Sequence, residues 1–399
     1  MADHGCDMLG GKTPLMAAHT PNMDRLAAEG GTGRLVTVPP DLPPGSEVAN
    51  LSVLGYDVHR VYEGRGVLEA ASMGVDLAGD DLALRCNLIT LEGACIKNHS
   101  AGHISTEEGA ELVRMLQQEL GSDTVRFYPG VSYRHLLVIK GGSKEIACTP
   151  PHDVPGRDFR KVLVTATSAG GNHTATLLND IIRKSQKLLA EHPVNLKRKE
   201  KGEESADSVW PWAQGYKPAM KTFQERFGLS GAVISAVDLI KGIGVYAGME
   251  RIEVEGATGL YDTNYEGKAD AALTALFDYD FVFLHIEASD EAGHQGDVEL
   301  KIKTIENLDK RVVGPVMTHL KAGKLPVRVG LLPDHPTPCA LRTHVRDPVP
   351  FVIHDPAKEA DSVMLYDEES VKSGCYGTLS GAGFIHSLLK RRQADKKGA

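Results

Sequence analysis

From about residue 230 onward the sequence alternates short apolar runs with amphipathic stretches, and that alternation limits the fold more than any other feature. The apolar runs lie at 232–236, 243–246, 281–286, 326–332 and 350–353. Each is closed by turn-forming or polar residues, as expected for strands buried on both faces of a parallel sheet. Helical patterns occupy 22–29, 268–277, 301–320 and 381–391. Strand alternating with helix predicts an α/β fold, a doubly wound and mostly parallel sheet with helices on both faces.

The middle of the chain has a different texture. Residues 81–228 carry strands of their own at 83–90 and 132–140, and helices at 106–120 and 175–191. A chain of 399 residues exceeds the usual size of one compact domain. These features predict an inserted α+β cap domain, 81–228, on a core built from 1–80 and 229–399. The charged stretch 195–207 reads as a solvated loop and the polar tail 390–399 as frayed.

Charge and cysteine usage remove several functional classes. Lys and Arg total 44 against 53 Asp and Glu, a formal charge of −9. That balance speaks against nucleic-acid binding and against a polybasic membrane surface, yet leaves room for a local basic pocket. The six cysteines show no Cys-x-x-Cys pairing, so neither a disulfide framework nor a zinc knuckle is expected. With no long apolar run and no leader pattern at the N-terminus, the expected compartment is a reducing cytoplasm.

Chemistry gathers where the apolar runs end. Asp290 and His294 follow the run 281–286 and stand four apart, a spacing that converges on one cation if the segment is helical. A helix-start carboxylate with a surface imidazole has the same spacing. The run 326–332 ends in Pro333-Asp334-His335, with Pro336 and Pro338 closing the strand so that both side chains can reach one point. His344 follows nine residues on, ahead of Asp347-Pro348-Val349-Pro350. Two carboxylates and three imidazoles near strand ends, where open α/β sheets place ligands, form a two-metal candidate set. Mixed O and N donors suit Mn²⁺, Zn²⁺ or Mg²⁺.

Ser46 follows Pro43-Pro44-Gly45 and opens a helical stretch. It can serve as a cap together with Glu47, or as a nucleophile: a helix N-terminus seats a phosphoryl group, and a bound cation makes a hydroxyl easier to ionise. Two decoys fail. Gly10-Gly11-Lys12-Thr13 lacks the upstream glycine of a phosphate-binding loop, where Cys6 stands, and no glycines flank Ser46 as a nucleophile elbow requires.

Taken together, the segments Gly45-Ser46-Glu47-Val48-Ala49-Asn50, Tyr62-Glu63-Gly64-Arg65-Gly66, Asp290-Glu291-Ala292-Gly293-His294 and Asp334-His335-Pro336-Thr337-Pro338 resemble the archaeal-type branch of cofactor-independent phosphoglycerate mutase. The resemblance spans nearly the whole chain and implies an alkaline phosphatase-like core. It implies interconversion of 3-phosphoglycerate and 2-phosphoglycerate, in glycolysis and gluconeogenesis, through phosphoserine at Ser46 and without 2,3-bisphosphoglycerate. One divalent cation would sit on Asp290, His294 and His344, the other on Asp334, His335 and the Ser46 oxygen. Mn²⁺ is expected first, with Zn²⁺, Co²⁺ and Mg²⁺ as the other candidates. Arg65, Arg85, His103, Asp153 and Lys241 are the implied substrate contacts, each equally readable as a surface ion pair. The implied partner is a small phosphorylated molecule, and the oligomeric state stays open.

The chain departs from the pattern in two places. Members usually begin with an apolar strand ending in Asp-Gly, just ahead of the Met-Ala-Asp that here is Met1-Ala2-Asp3. A first core strand and one carboxylate ligand are therefore expected to be missing, with Asp3 and Asp7 as nearby carboxylates. Asn98-His99 also replaces the usual acidic and aromatic pair. A phosphatase or other phosphotransferase on the same scaffold would share the metal ligands, and an inactive binding protein is the alternative from another class.

Overall fold

The computed structural model describes residues 1–390 and divides into two units, one formed by Met1–Tyr62 with Met220–Ala399, the other by Glu63–Ala219. Of the tail expected to fray, 390–399, residues 391–399 lie outside the described residues.

The first unit is mixed α/β. Its strands are β1 (Gly31–Val36), β2 (Gly231–Ile234), β3 (Glu250–Arg251), β4 (Phe281–Leu284), β5 (Val329–Leu331), β6 (Val349–His354) and β7 (Thr378–Ser380). The single sheet expected from the alternation is two sheets, ordered β3-β2-β4 and β5-β6-β1-β7. The first is parallel throughout; in the second, β6 runs antiparallel to both β5 and β1. The division arises because β4 pairs only with β2 and β5 only with β6 among the described residues.

The helices of this unit that bear on the site are α1 (Pro21–Ala28), α2 (Ser46–Val53), α3 (Asp238–Tyr246), α4 (Tyr265–Ala275), α5 (Ala288–Gln295), α6 (Val298–Leu308), α7 (Gly314–Ala322) and α8 (Gly383–Leu389). The apolar run 243–246 is not a strand but the end of α3. Ile240, Ile243 and Gly244 are all buried, at helical rather than strand spacing. Gly244 lies so close to Val233 that a Cβ there would meet the valine methyl at 2.4 Å, which ties α3 tightly to β2. The expected helix 301–320 is α6 and α7 joined by a π-helical turn at Asp309–Val313. That turn aims Asp309 at the start of α1, where its carboxylate accepts from the Asn22 and Met23 amides at 3.0 and 2.7 Å.

A buried ion pair anchors the N-terminus of the chain. Lys301 Nζ, fully enclosed, donates to Asp3 Oδ2 at 2.7 Å and to the carbonyls of Ala2 and Thr337 at 3.1 and 2.8 Å. Lys301→Met would leave the Asp3 carboxylate buried with only amide donors. We expect it to cost about 3–5 kcal/mol in denaturant unfolding of this unit. A loss within measurement error would mean the pair is not the anchor it resembles.

The second unit is a five-stranded antiparallel sheet covered by helices. The long strand Asp81–Glu92 pairs with Arg134–Lys140 and with Ser208–Gly215. Leu82, Leu84 and Leu88, two or four apart, join Leu112 and Leu116 of helix Thr106–Leu120 and Leu178 and Ile182 of helix Asn172–Ala190 in one core. The stretch 195–207 is a solvated loop only in part: residues 201–207 are loop, and Lys197, Lys199 and Glu203 are exposed, but its start is helical. Helix Pro193–Glu200 buries Asn195, which bonds the Leu189 and Ala206 carbonyls, and Arg198, which pairs with Glu108 at 2.6 Å.

His135 in this core accepts from the Gly130 amide at 3.0 Å and has no partner on Nε2. Burial pushes its imidazole down to about 3. A depressed folded value means that the unfolded chain takes up the proton first, so stability falls as pH drops from about 6.5 towards 3. At pH 5 the loss reaches about 2 kcal/mol, from about 1.5 units at 1.36 kcal/mol each. Acid unfolding of the second unit with no such slope, or an equal slope in His135→Gln, would contradict this.

Candidate active site

Three backbone features build the site in the first unit. Pro43 and Pro44 extend the chain into Gly45, the N-cap of α2 at φ −148° and ψ 153°, and Ser46 becomes the first helical residue. The expected capping by Ser46 is not found: its side chain makes no cap bond and its hydroxyl is turned to His335. Next, β4 runs directly into α5, which carries Asp290 in its first turn and His294 in its last before Gly296 ends the helix in the left-handed region. Finally, β5 runs into Pro333, Asp334 and His335, and the loop beyond delivers His344.

These residues converge. Asp290 lies 3.2 Å from His294 Nε2, 3.4 Å from His344 Nε2 and 3.8 Å from His335 Nδ1. His335 Nε2 is 3.0 Å from Ser46 Oγ and 3.4 Å from Asp334 Oδ2, and the His335 and His344 rings stand 3.8 Å apart. Ser46 and His335 are both buried. The metal-set residues named from the sequence, Ser46, Asp290, His294, Asp334, His335 and His344, thus form one cluster.

The electrostatics of the cluster ask for a cation. His294 Nδ1 faces the Arg342 carbonyl and His344 Nδ1 the Pro44 carbonyl, both at 3.1 Å. Each carbonyl fixes the proton on Nδ1, and both Nε2 lone pairs then face each other at 2.8 Å beside Asp290. A proton or a metal ion must sit between them. Donor atoms of Asp290, His335 and His344 all lie within 4.8 Å of one another, and the mixture of imidazole and carboxylate suits Mn²⁺ or Zn²⁺. The residues present therefore fit a divalent cation. Burial alone would raise Asp290, but hydrogen bonds from His294 and His344 hold its carboxyl well below the usual range. The same bond to Asp290, working against burial, lifts His294 to about 9.

Four residues of the site went unrecognised in the sequence. Asn50, one turn after Ser46 on α2, donates to the Ser46 carbonyl at 2.8 Å and to Asp334 Oδ2 at 3.0 Å, and its i, i+4 spacing from Ser46 was the available signal. Thr337 donates its hydroxyl to Asp290 Oδ1. Glu287, three residues before Asp290, sits 3.3 Å from His285, and burial followed by the Asp290 and Asp334 charges raises its carboxyl well above normal. Lys268 is fully enclosed, its ammonium lowered to about 8 by burial with Glu287 opposing. Asp3 is held by Lys301 and Asp347 pairs with His4 at 3.1 Å.

Lys241, the remaining candidate in this unit, is held by Glu253 at 2.7 Å. The other four lie in the second unit. Arg85 is buried, 3.1 Å from Glu69 and stacked over Trp212 at 4.7 Å. Burial lowers its guanidinium, with Arg65 and Arg134 adding repulsion that Glu69 opposes. His103, in a left-handed conformation at φ 52°, lies edge-on to Tyr133, which also meets His99. His152, absent from the sequence reading, contacts Trp212 and His99 and stands 3.6 Å from the exposed Asp153. His99, the unexpected residue of the Asn98-His99 departure, is thus part of a cluster rich in basic side chains. Clustered guanidinium and imidazole groups with like-charge strain suit an anion.

Residues 27–195 match the family model described as 2,3-bisphosphoglycerate-independent phosphoglycerate mutase. The chain is 51% identical over 394 residues to the Methanosarcina barkeri protein of that name, covering 98% of each. It is 52% identical over 392 residues to the Methanosarcina acetivorans one, covering 98% of this chain and 97% of the relative. Among solved structures, a Pyrococcus horikoshii protein superimposes with a TM-score of 0.83 at 31% identity, over 100% of this chain and 97% of that one. The cofactor-independent phosphoglycerate mutase of Thermoplasma acidophilum gives 0.68 at 28%, over 98% and 96%. No described helix is long and apolar enough to cross a membrane.

Proposed function

The chain belongs to the 2,3-bisphosphoglycerate-independent phosphoglycerate mutases and interconverts 3-phosphoglycerate and 2-phosphoglycerate; from that premise we propose that the phosphoryl group travels through Ser46. The observation that carries this reading is the Ser46 hydroxyl at the start of α2, 3.0 Å from His335 within the Asp290–Asp334 cluster.

Asp290, His294 and His344 would hold one divalent cation, and Asp334, His335 and the Ser46 oxygen the other. Bound there, the cations would supply positive charge that eases ionisation of the serine hydroxyl and neutralises the transferring phosphoryl group. Ser46 Oγ attacks phosphorus, the bond to the glycerate oxygen breaks, and that oxygen takes up a proton. The neighbouring glycerate hydroxyl then attacks phosphoserine, loses its proton, and frees Ser46. The amide groups at the start of α2 favour negative charge on the phosphorylated side chain. Asn50 ties Ser46 and Asp334 to one geometry across both steps.

Between the steps the glycerate must be retained. Arg65, Arg85, His103, Asp153 and Lys241 are the groups proposed to bind it. His99 and His152 join them because their rings belong to the same cluster. Mn²⁺ is the proposed metal, on the mixture of carboxylate and imidazole donors in the set.

An enolase-coupled assay with 3-phosphoglycerate, run without 2,3-bisphosphoglycerate after metal stripping and readdition, tests the metal-dependent reading. Turnover that returns with Mn²⁺ supports it. Turnover that persists undiminished in the stripped protein contradicts it.

A further inference from the structure

Three consecutive residues of the second unit, Ala101, Gly102 and His103, hold left-handed backbone, at φ 48°, 63° and 52°. Glycine adopts that region freely. In Ala101 and His103 it brings Cβ against the following carbonyl oxygen, so other residues visit it singly rather than in runs. A turn of this kind persists only where its surroundings over-determine it. We propose that Arg198, with Asn98 and Ser100, holds the turn left-handed and so positions the His103 imidazole, an inference that rests on the reading of His103 as a glycerate contact.

The turn is tethered at both ends. Arg198, buried in helix Pro193–Glu200, donates through Nη2 to the Ala101 carbonyl at 3.2 Å. Its Nε donates to the Glu204 carbonyl at 2.8 Å and its Nη1 to Glu108 Oε2 at 2.6 Å. One planar guanidinium thus ties the turn to helix Thr106–Leu120 and to the loop at Glu204. At the other end, Ser100 Oγ accepts from the His103 amide at 3.3 Å and donates to Asn98 Oδ1 at 2.8 Å. Asn98 Nδ2 donates to Glu204 Oε2 at 2.5 Å, so both tethers meet on Glu204. Glu204 also packs on the turn itself: a Cβ on Gly102 would meet Glu204 Cβ at 2.8 Å. Beyond the turn, Ser132 Oγ donates to the Ile104 carbonyl at 2.6 Å. Ala101 is fully buried, whereas His103 is exposed and lies edge-on to Tyr133 at 6.4 Å, the ring that also meets His99 and Arg134. Reversing φ along the turn would redirect the His103 Cα–Cβ bond away from that cluster. Arg198 and Glu204 belong to the charged stretch 195–207, and the tether gives part of that stretch a task at the site.

A rescue experiment on the Mn²⁺-loaded protein tests this. Arg198→Met removes the guanidinium tether. Ser100→Ala removes the acceptor of the His103 amide with little change of volume, and is the arm that spares the fold. Each is expected to lower kcat/KM for 3-phosphoglycerate by about tenfold, mainly through KM. Adding Ala101→Gly to either should recover at least about threefold, because glycine takes positive φ without help. Ala101→Gly alone should change kcat/KM by less than about twofold. A merely structural tether predicts further loss instead, since glycine removes a buried methyl and loosens the chain. His103→Asn checks the underlying reading: asparagine tolerates left-handed backbone but lacks the imidazole, and kcat/KM should fall by about tenfold or more. Unchanged kinetics in His103→Asn would overturn the glycerate contact and the positioning role together. A loss in His103→Asn with none in Ser100→Ala, or a loss in Ser100→Ala that Ala101→Gly leaves uncorrected, would overturn the positioning role alone.

Discussion

Ser46→Ala is expected to lower turnover of 3-phosphoglycerate by roughly 10⁴-fold or more, because the nucleophile that accepts the phosphoryl group is removed while its partners remain. The fold should survive. Gly45, not Ser46, is the N-cap of α2, and Asn50 bonds the Ser46 carbonyl, which alanine keeps. The stability cost should be about 1 kcal/mol, one hydrogen bond to His335. Steady-state kinetics and a denaturation curve on the same preparation separate the two effects. Retained turnover would remove phosphoserine from the mechanism, and unfolding would mean that Ser46 is structural.

Asp290→Asn should cost more than about 100-fold in metal affinity and leave activity near background. Among the described residues Asp290 is the one carboxylate within 4 Å of His294, His335 and His344 together, so losing its charge disturbs every imidazole in the cluster. The metal-free protein gives an independent readout. Its Asp290–His294 pair raises His294 to about 9, so the stabilisation is complete below about 6.5 and is lost as pH rises through about 9. Metal binding must displace that proton, and apparent affinity should climb across the same window. In Asp290→Asn the His294 imidazole should titrate lower, as proton NMR would show. A His294 titration unchanged by the substitution would contradict the assigned partner.

How much of this was readable beforehand depends on the range over which each residue acts. Asp290 and His294, or Asp334 and His335, reveal themselves because strand ends and close spacing put two ligands together locally. The partners of Ser46 lie some 290 positions away, and only the family resemblance linked them. Texture misled at 243–246, where β-branched residues next to glycines imitate a strand, although the buried Ile240 and Ile243 keep helical spacing. It misled again at 195–207, where the charges of Arg198 and Glu108 neutralise each other across 90 positions, an arrangement no local window can register. The division of the core into two sheets is likewise a matter of which strands become neighbours. Glu287 and Lys268 stayed hidden for a further reason, since an isolated charged residue in sequence looks exposed until tertiary packing encloses it.

The most direct test is to quench the Mn²⁺-loaded protein in acid during turnover of 3-phosphoglycerate, with no 2,3-bisphosphoglycerate present, and to map phosphorylation by peptide mass spectrometry. A single phosphoryl group on the peptide containing Ser46, absent without substrate and absent in Ser46→Ala, is the predicted result. Full turnover with that peptide unmodified, or with the phosphoryl group on another residue, would contradict the mechanism.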